Sequence, residues 1–151
     1  AWWIDNNGTL QSAAIDEPRF TEDGVLIERA STNVFLNSDA PVTQTVFVTE
    51  GDTYTISCVG TGHISLQETS SFVWDSSDTS PAGIPSSPIS ENASEGNPLT
   101  LTAPSPTLAV YVNGSLDYTQ VEDGAEATSI IITSTSPVTR SADVISTKAS
   151  A

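Results

Sequence analysis

The chain has one cysteine and one histidine, Cys58 and His63, five positions apart with a Gly60-Thr61-Gly62 turn between them. A thiol and an imidazole so spaced can meet across a turn, the start of a nucleophile and base pair. Acyl transfer also needs a group to orient the base and donors to hold an oxyanion, and neither has a trace in the sequence. Cys58 is therefore read as a small core residue on the apolar side of Tyr54-Thr55-Ile56-Ser57-Cys58-Val59, and His63 as a surface residue. Glycoside hydrolysis asks for two carboxylates about 5 to 10 Å apart in a cleft. Among 19 acids some pair meets that by chance, so the count points nowhere. One Cys and one His disfavour zinc. No cofactor is expected, and Ca²⁺ is the one ion the oxygens of Asp75-Ser76-Ser77-Asp78 suit, without the spacing of a calcium-binding helix-loop-helix. Sugar binding needs an aromatic ring beside polar groups, because the C–H face of a sugar packs on the ring while its hydroxyls seek partners. Trp74 with Asp75 is the first candidate, Tyr111 with Tyr118 the second, and for each aromatic a place in the core is the competing reading.

The background to these residues is acidic. Four Lys and Arg stand against 19 Asp and Glu, a formal net charge of -15. Such a chain repels phosphate backbones and anionic lipid, so neither nucleic acid nor membrane is an expected partner. No apolar run approaches the ~20 residues of a bilayer span, and Ala1-Trp2-Trp3-Ile4-Asp5 lacks the basic-then-apolar layout of a signal peptide. The lone cysteine excludes an intrachain disulfide and fits synthesis in a reducing cytoplasm. The chain does not open on Met, so a preceding segment is expected. Its 151 residues suffice for one domain around one core.

The elements that must position any site are strands. Val46 and Val48 alternate with Thr45, Phe47 and Thr49, and Tyr54, Ile56 and Cys58 with Thr53, Thr55 and Ser57. The period of two, with Glu50-Gly51-Asp52 between, predicts an antiparallel hairpin. Asn6-Asn7-Gly8 and Asn113-Gly114 predict two more, the second joining Leu108 to Val112 with Leu116 to Val121. Two short buried strands are also expected at Val25 to Ile27 and Val34 to Leu36, bent around the polar stretch between them, with further short strands at Ser71 to Trp74 and Leu99 to Thr102. Thr128 to Thr133, with Ile130, Ile131 and Ile132 in a row, reads as buried on both faces or held in an interface. Residues 75–98 are dense in Ser, Pro, Asp and Gly and read as a long loop, a natural place for variable contacts. With no helical period anywhere, the fold expected is an all-β antiparallel sandwich. Residues 1–23 form a lead-in arm, 24–147 the sandwich and 148–151 a frayed tail.

Three motifs add a resemblance. Pro18-Arg19-Phe20 precedes Gly24-Val25-Leu26-Ile27-Glu28-Arg29-Ala30-Ser31-Thr32-Asn33-Val34-Phe35-Leu36-Asn37-Ser38. Later come Gln120-Val121-Glu122-Asp123-Gly124-Ala125-Glu126-Ala127-Thr128-Ser129 and Val138-Thr139-Arg140-Ser141-Ala142-Asp143. In this order they resemble a module of bacteriophage tail-fibre and head-spike or head-fibre proteins. The resemblance implies a jelly-roll sandwich like many carbohydrate-binding modules, displayed on the virion surface after assembly in the host bacterial cytoplasm. Its implied partners are other capsid or tail proteins, further copies of the chain, and in the lectin-like alternative a host surface glycan. The family's Arg in the first motif is Ser31 here, and Arg29 stands where the family has an acidic or small residue, so the role of that Arg is lost or shifted by two positions.

Glu28, Asn33, Gln120, Glu122, Arg140 and Asp143 carry the resemblance, and structure is their simplest task. With so few cations, a partly buried Arg140 needs an acid, and Glu28, Glu122 and Asp143 are the candidates; a bidentate pair there pins the two ends of the domain together. Trp2 and Trp3 pack on the sandwich or on a neighbouring subunit, or offer a sugar-stacking platform. With Ile130, Ile131 and Ile132 they are the candidate interface residues.

Overall fold

The computed structural model describes residues 2–5, 7, 9–14, 17–68 and 92–144. Among them are thirteen strands and no helix. Two hairpins lead in: β1 (Trp2–Ile4) pairs with β2 (Leu10–Ser12), and β3 (Arg19–Thr21) with β4 (Gly24–Leu26). The first is the hairpin expected around Asn7.

The body comprises two antiparallel sheets. One has five strands in the order β10 (Leu99–Thr102), β7 (Thr53–Gly60), β12 (Leu116–Asp123), β5 (Ser31–Asn33), β13 (Val138–Arg140). The other has four, β6 (Gln44–Phe47), β11 (Thr107–Asn113), β8 (His63–Glu68), β9 (Asn92–Ser94). Between them lies one core. Tyr54, Ile56, Cys58 and Val121 from the first sheet meet Val46, Ile64, Leu66, Ala93, Leu108 and Val110 from the second, with Phe35 as a plug. The period-two reading of the faces holds: Val46 is buried while Phe47 beside it is 79 % exposed.

Pairing corrects the sequence reading in several places. β6 and β7 flank Glu50-Gly51-Asp52 but belong to opposite sheets, and so do β11 and β12 on either side of Asn113-Gly114. Neither turn closes a hairpin; each carries the chain over the edge of the core, as sandwich connections do. A turn signal fixes a reversal and says nothing of which sheet the next strand joins. The strand expected at Val34 to Leu36 lies earlier, at Ser31–Asn33, and Phe35 enters the core from an irregular segment that ends on Asn37 in the left-handed region, φ 51°. Asn92–Ser94 pairs with β8, so the later part of the expected 75–98 loop is strand. Residues 71–91 and 148–151, with the expected Ser71 to Trp74 strand and the tail, lie outside the described residues.

The turn after β7, Gly60-Thr61-Gly62, also passes from the first sheet to the second, and it touches the Asn113-Gly114 turn. Gly62 N–H donates to Ser115 O at 2.8 Å, and Gly114, at φ 76°, presents its α-carbon face to Gly62. A β-carbon on Gly62 would fall on the Asn113 carbonyl oxygen and within 3.0 Å of Gly114 C and Ser115 N. The β7-to-β8 and β11-to-β12 crossings thus meet in one glycine-on-glycine contact.

Candidate functional site

Along β12 the outward residues are Tyr118, Gln120 and Glu122, one every second position on the face turned away from the core. Burial of three polar side chains on an outer face requires a cover and partners. The cover is the irregular segment 124–133. Tyr118 Oη donates to Gln120 Oε1 at 2.5 Å and accepts from Ile131 N at 2.9 Å. Gln120 Nε2 donates to Glu122 Oε1 at 2.7 Å. Glu122, fully buried, also accepts from Thr128 N, Thr128 Oγ1 and Ser31 Oγ at 2.6, 2.5 and 2.6 Å. Asn33 works from the neighbouring strand, donating through Nδ2 to Ile131 O at 2.8 Å and accepting from Phe35 N and Val121 N. Four neutral donors therefore surround the Glu122 carboxylate, and no arginine reaches it. Two of the three acids offered to Arg140 are corrected: Glu122 is taken up by these neutral donors, and Asp143 by Arg19 and the Glu28 amide.

The ionic group sits at the other end of the cover. Glu28 Oε2 accepts from Arg140 Nη1 at 2.8 Å and from Arg19 Nη1 at 2.5 Å, while Oε1 accepts from Ser129 N at 2.5 Å. Arg19 Nη2 pairs with Asp143, whose Oδ2 also accepts from Glu28 N at 2.8 Å. Arg140 adds bonds to Ser129 O at 3.3 Å and Arg29 O at 2.9 Å. Arg19 and Arg140 are 2 % and 9 % exposed, so the pairs work at reduced dielectric and bind the lead-in arm, the cover and the last strand in one knot. The Glu28 to Arg140 pair was legible in the sequence; Arg19 was not. Its signal was the Pro-Arg-Phe tripeptide, which carries a cation into a chain that has few. Arg29, two residues from the expected place, donates to the carbonyls of Ala30 and Asp123 at 2.9 and 2.5 Å and of Glu126 at 3.3 Å. It holds the start of the cover by its backbone.

Two clefts flank the knot. One of about 360 Å³ is lined by Trp3, Leu26, Glu28, Ser57, Val59, Tyr118 and Ile130 among others; one of about 230 Å³ by Trp2, Ile130, Ile131, Ile132, Val138, Thr139 and Arg140. The structure so brings Trp2 together with the three isoleucines, and sets Trp3 over the first sheet, its Nε1 3.4 Å from Phe20 O. Ile131 is 4 % exposed; Ile130 and Ile132 are half-buried on a segment without strand pairing.

The remaining candidates separate. Trp74 and Asp75 lie outside the described residues, as does the Asp75 to Asp78 loop. Tyr118 is 6 % exposed and its hydroxyl is engaged, so it belongs to the scaffold and not to a surface platform. Tyr111 is 37 % exposed on the solvent face of β11, where Asn113 Nδ2 donates to Ser65 Oγ at 3.0 Å. Cys58 is buried with Sγ 3.6 Å from Ala93 O; burial first, then the charge of Glu95, pushes its thiol up, away from the thiolate a nucleophile needs. His63 is exposed. Among the described residues no cluster of His, Cys, Asp and Glu could hold a metal ion.

Burial also pushes the Tyr118 phenol well above its ordinary 10.0. The folded state keeps this proton at pH values where the unfolded chain has released it, so stability is full below 10.0 and falls as pH rises beyond. Urea melts across the alkaline range are expected to show that fall. Tyr118→Phe is expected to cost about 1 to 2 kcal/mol at neutral pH and to flatten the alkaline limb; an unchanged limb contradicts the assignment. Compared with known proteins, the chain matches no family model, no curated protein and no solved structure.

Proposed function

We propose that this chain is a bacteriophage virion structural protein, a head fibre, spike, capsid decoration or tail-fibre subunit, acting as a non-catalytic contact module on a jelly-roll sandwich. The observation that carries the reading is where the motif residues go. Glu28, Asn33, Gln120, Glu122, Arg140 and Asp143, drawn from both ends of the chain, all bond to one cover segment or to the arginines beside it. Polar residues spent on bonds within the fold, most of them buried, serve a scaffold, and leave the outer surface free to serve attachment. The strong negative charge suits a particle surface kept soluble at high local copy number.

The test is where the chain sits on a phage particle whose genome encodes it. Antibody raised against the purified chain is expected to decorate intact, genome-filled virions under the electron microscope. Bare virions, with the chain recovered only from the soluble lysate, overturn the reading. A lectin-like module for host glycan is the second reading, supported by half-open Tyr111 among the polar groups of β11; bare virions together with glycan-array binding that Tyr111→Ala abolishes would put it in first place.

A further inference from the structure

The β3–β4 hairpin has two faces, one covered and one open, and the open one is apolar. Its inward residues are Arg19, 2 % exposed in the ionic knot, and its cross-strand partner Leu26, which lines the larger cleft. On the outward face Phe20 pairs across the strands with Val25, and Ile27 follows immediately after the end of β4. These three are 61 %, 56 % and 51 % exposed, so the burial expected of Val25 to Ile27 is corrected: the outward face of this hairpin has no sheet packed on it. Alternation in a solvated hairpin would place polar residues there. A contiguous ridge of three large apolar side chains on a small protein marks a contact surface, whereas single exposed apolar residues do not.

The surrounding charge says what covers it. Glu22 and Asp23 stand exposed at the hairpin tip beside the ridge. Of the four cations in the chain, Arg19 and Arg140 are closed in the knot, Arg29 is held on three carbonyls, and Lys148 lies outside the described residues. A second copy meeting this ridge would bring acid against acid, and the one described cation outside the knot, Arg29, has its guanidinium turned onto those carbonyls. We infer that the Phe20, Val25 and Ile27 ridge docks into a protein partner that offers an apolar groove rimmed by lysine or arginine. The inference stands on the hairpin alone and does not depend on the virion setting.

The probe is a strand peptide alternating Lys with Val, compared with one alternating Lys with Thr at equal charge, each titrated into the full chain. The wild type is expected to bind the Lys/Val peptide about tenfold more tightly, the excess reporting apolar burial. Phe20→Ser with Val25→Ser is expected to bring the two affinities together, since both side chains are more than half exposed and the fold does not need them. Glu22→Lys with Asp23→Lys, which leaves the ridge intact, is expected to weaken both peptides, and added salt to do the same. The two peptides binding the wild type alike overturns the inference, as does a preference that survives the loss of Phe20 and Val25. Sedimentation showing wild-type dimers that the serine variant loses also overturns it, because the occupant is then a second copy.

Discussion

Replacing Glu28 by alanine is expected to lower the free energy of unfolding by about 4 kcal/mol or more, the scale on which an uncompensated buried charge destabilises. The carboxylate bonds at once to Arg19, Arg140 and the Ser129 amide. Its loss leaves two guanidinium groups under a tenth exposed, with Arg19 still paired to Asp143 and Arg140 holding only carbonyls. Each would have to drag water inward or swing out, and either motion lifts the cover from β12. In a domain of this size such a loss is a fall of about 10 °C in melting temperature. A fall of no more than about 2 °C in a thermal melt would mean that the knot is ornamental. The wild-type knot does not have to be a net source of stability compared with apolar residues of the same shape; what it does is make a single arrangement of arm, cover and last strand the only one with its charges answered.

Gly62→Ala is expected to cost about 3 kcal/mol, the upper range for forcing extra volume into a packed site. Its new methyl group meets backbone on the facing turn, the Asn113 carbonyl above all, and backbone cannot rotate away as a long side chain can. Gly51→Ala is the comparison. Gly51 has φ 87° and nothing within 4 Å of an added β-carbon, so its substitution meets backbone strain alone, about 1 to 2 kcal/mol. Urea denaturation of the two variants separates the effects. Equal losses would contradict the view that the turns after β7 and β11 are closed on each other by the absence of a side chain.

Much of this protein was readable from residue order, and the parts that were not share one cause. Alternation placed Val46, Tyr54, Ile56 and Cys58 in the core because strand faces are a local property with a period of two. The scarcity of cations led from Arg140 to three acids because a buried charge demands an opposite one, and of these Glu28 takes it, through one Nη1 bond and not a bidentate fork. Sheet membership is not local. Glu50-Gly51-Asp52 and Asn113-Gly114 look like hairpin turns, yet the strands they join gain more by burying their apolar faces against each other across the core than by pairing side by side. The same blindness hid the cover. Ile130, Ile131 and Ile132 read as buried on both faces or held in an interface; of the three only Ile131 is buried, and its backbone is satisfied by the side chains of Asn33, Tyr118 and Gln120 in place of a neighbouring strand. Nothing near residue 131 announces partners lying about 10 and 100 positions back.

A thermodynamic cycle on Glu28 and Arg140 reaches the central claim, that the two ends of the chain are tied through this knot. Unfolding free energies of the wild type, Glu28→Ala, Arg140→Ala and the double variant are the quantities needed. Coupling of about 2 kcal/mol is predicted, with the second substitution doing little further harm once the first has been made. Losses that simply add, within about 0.5 kcal/mol, would show that the residues act apart and would contradict the claim.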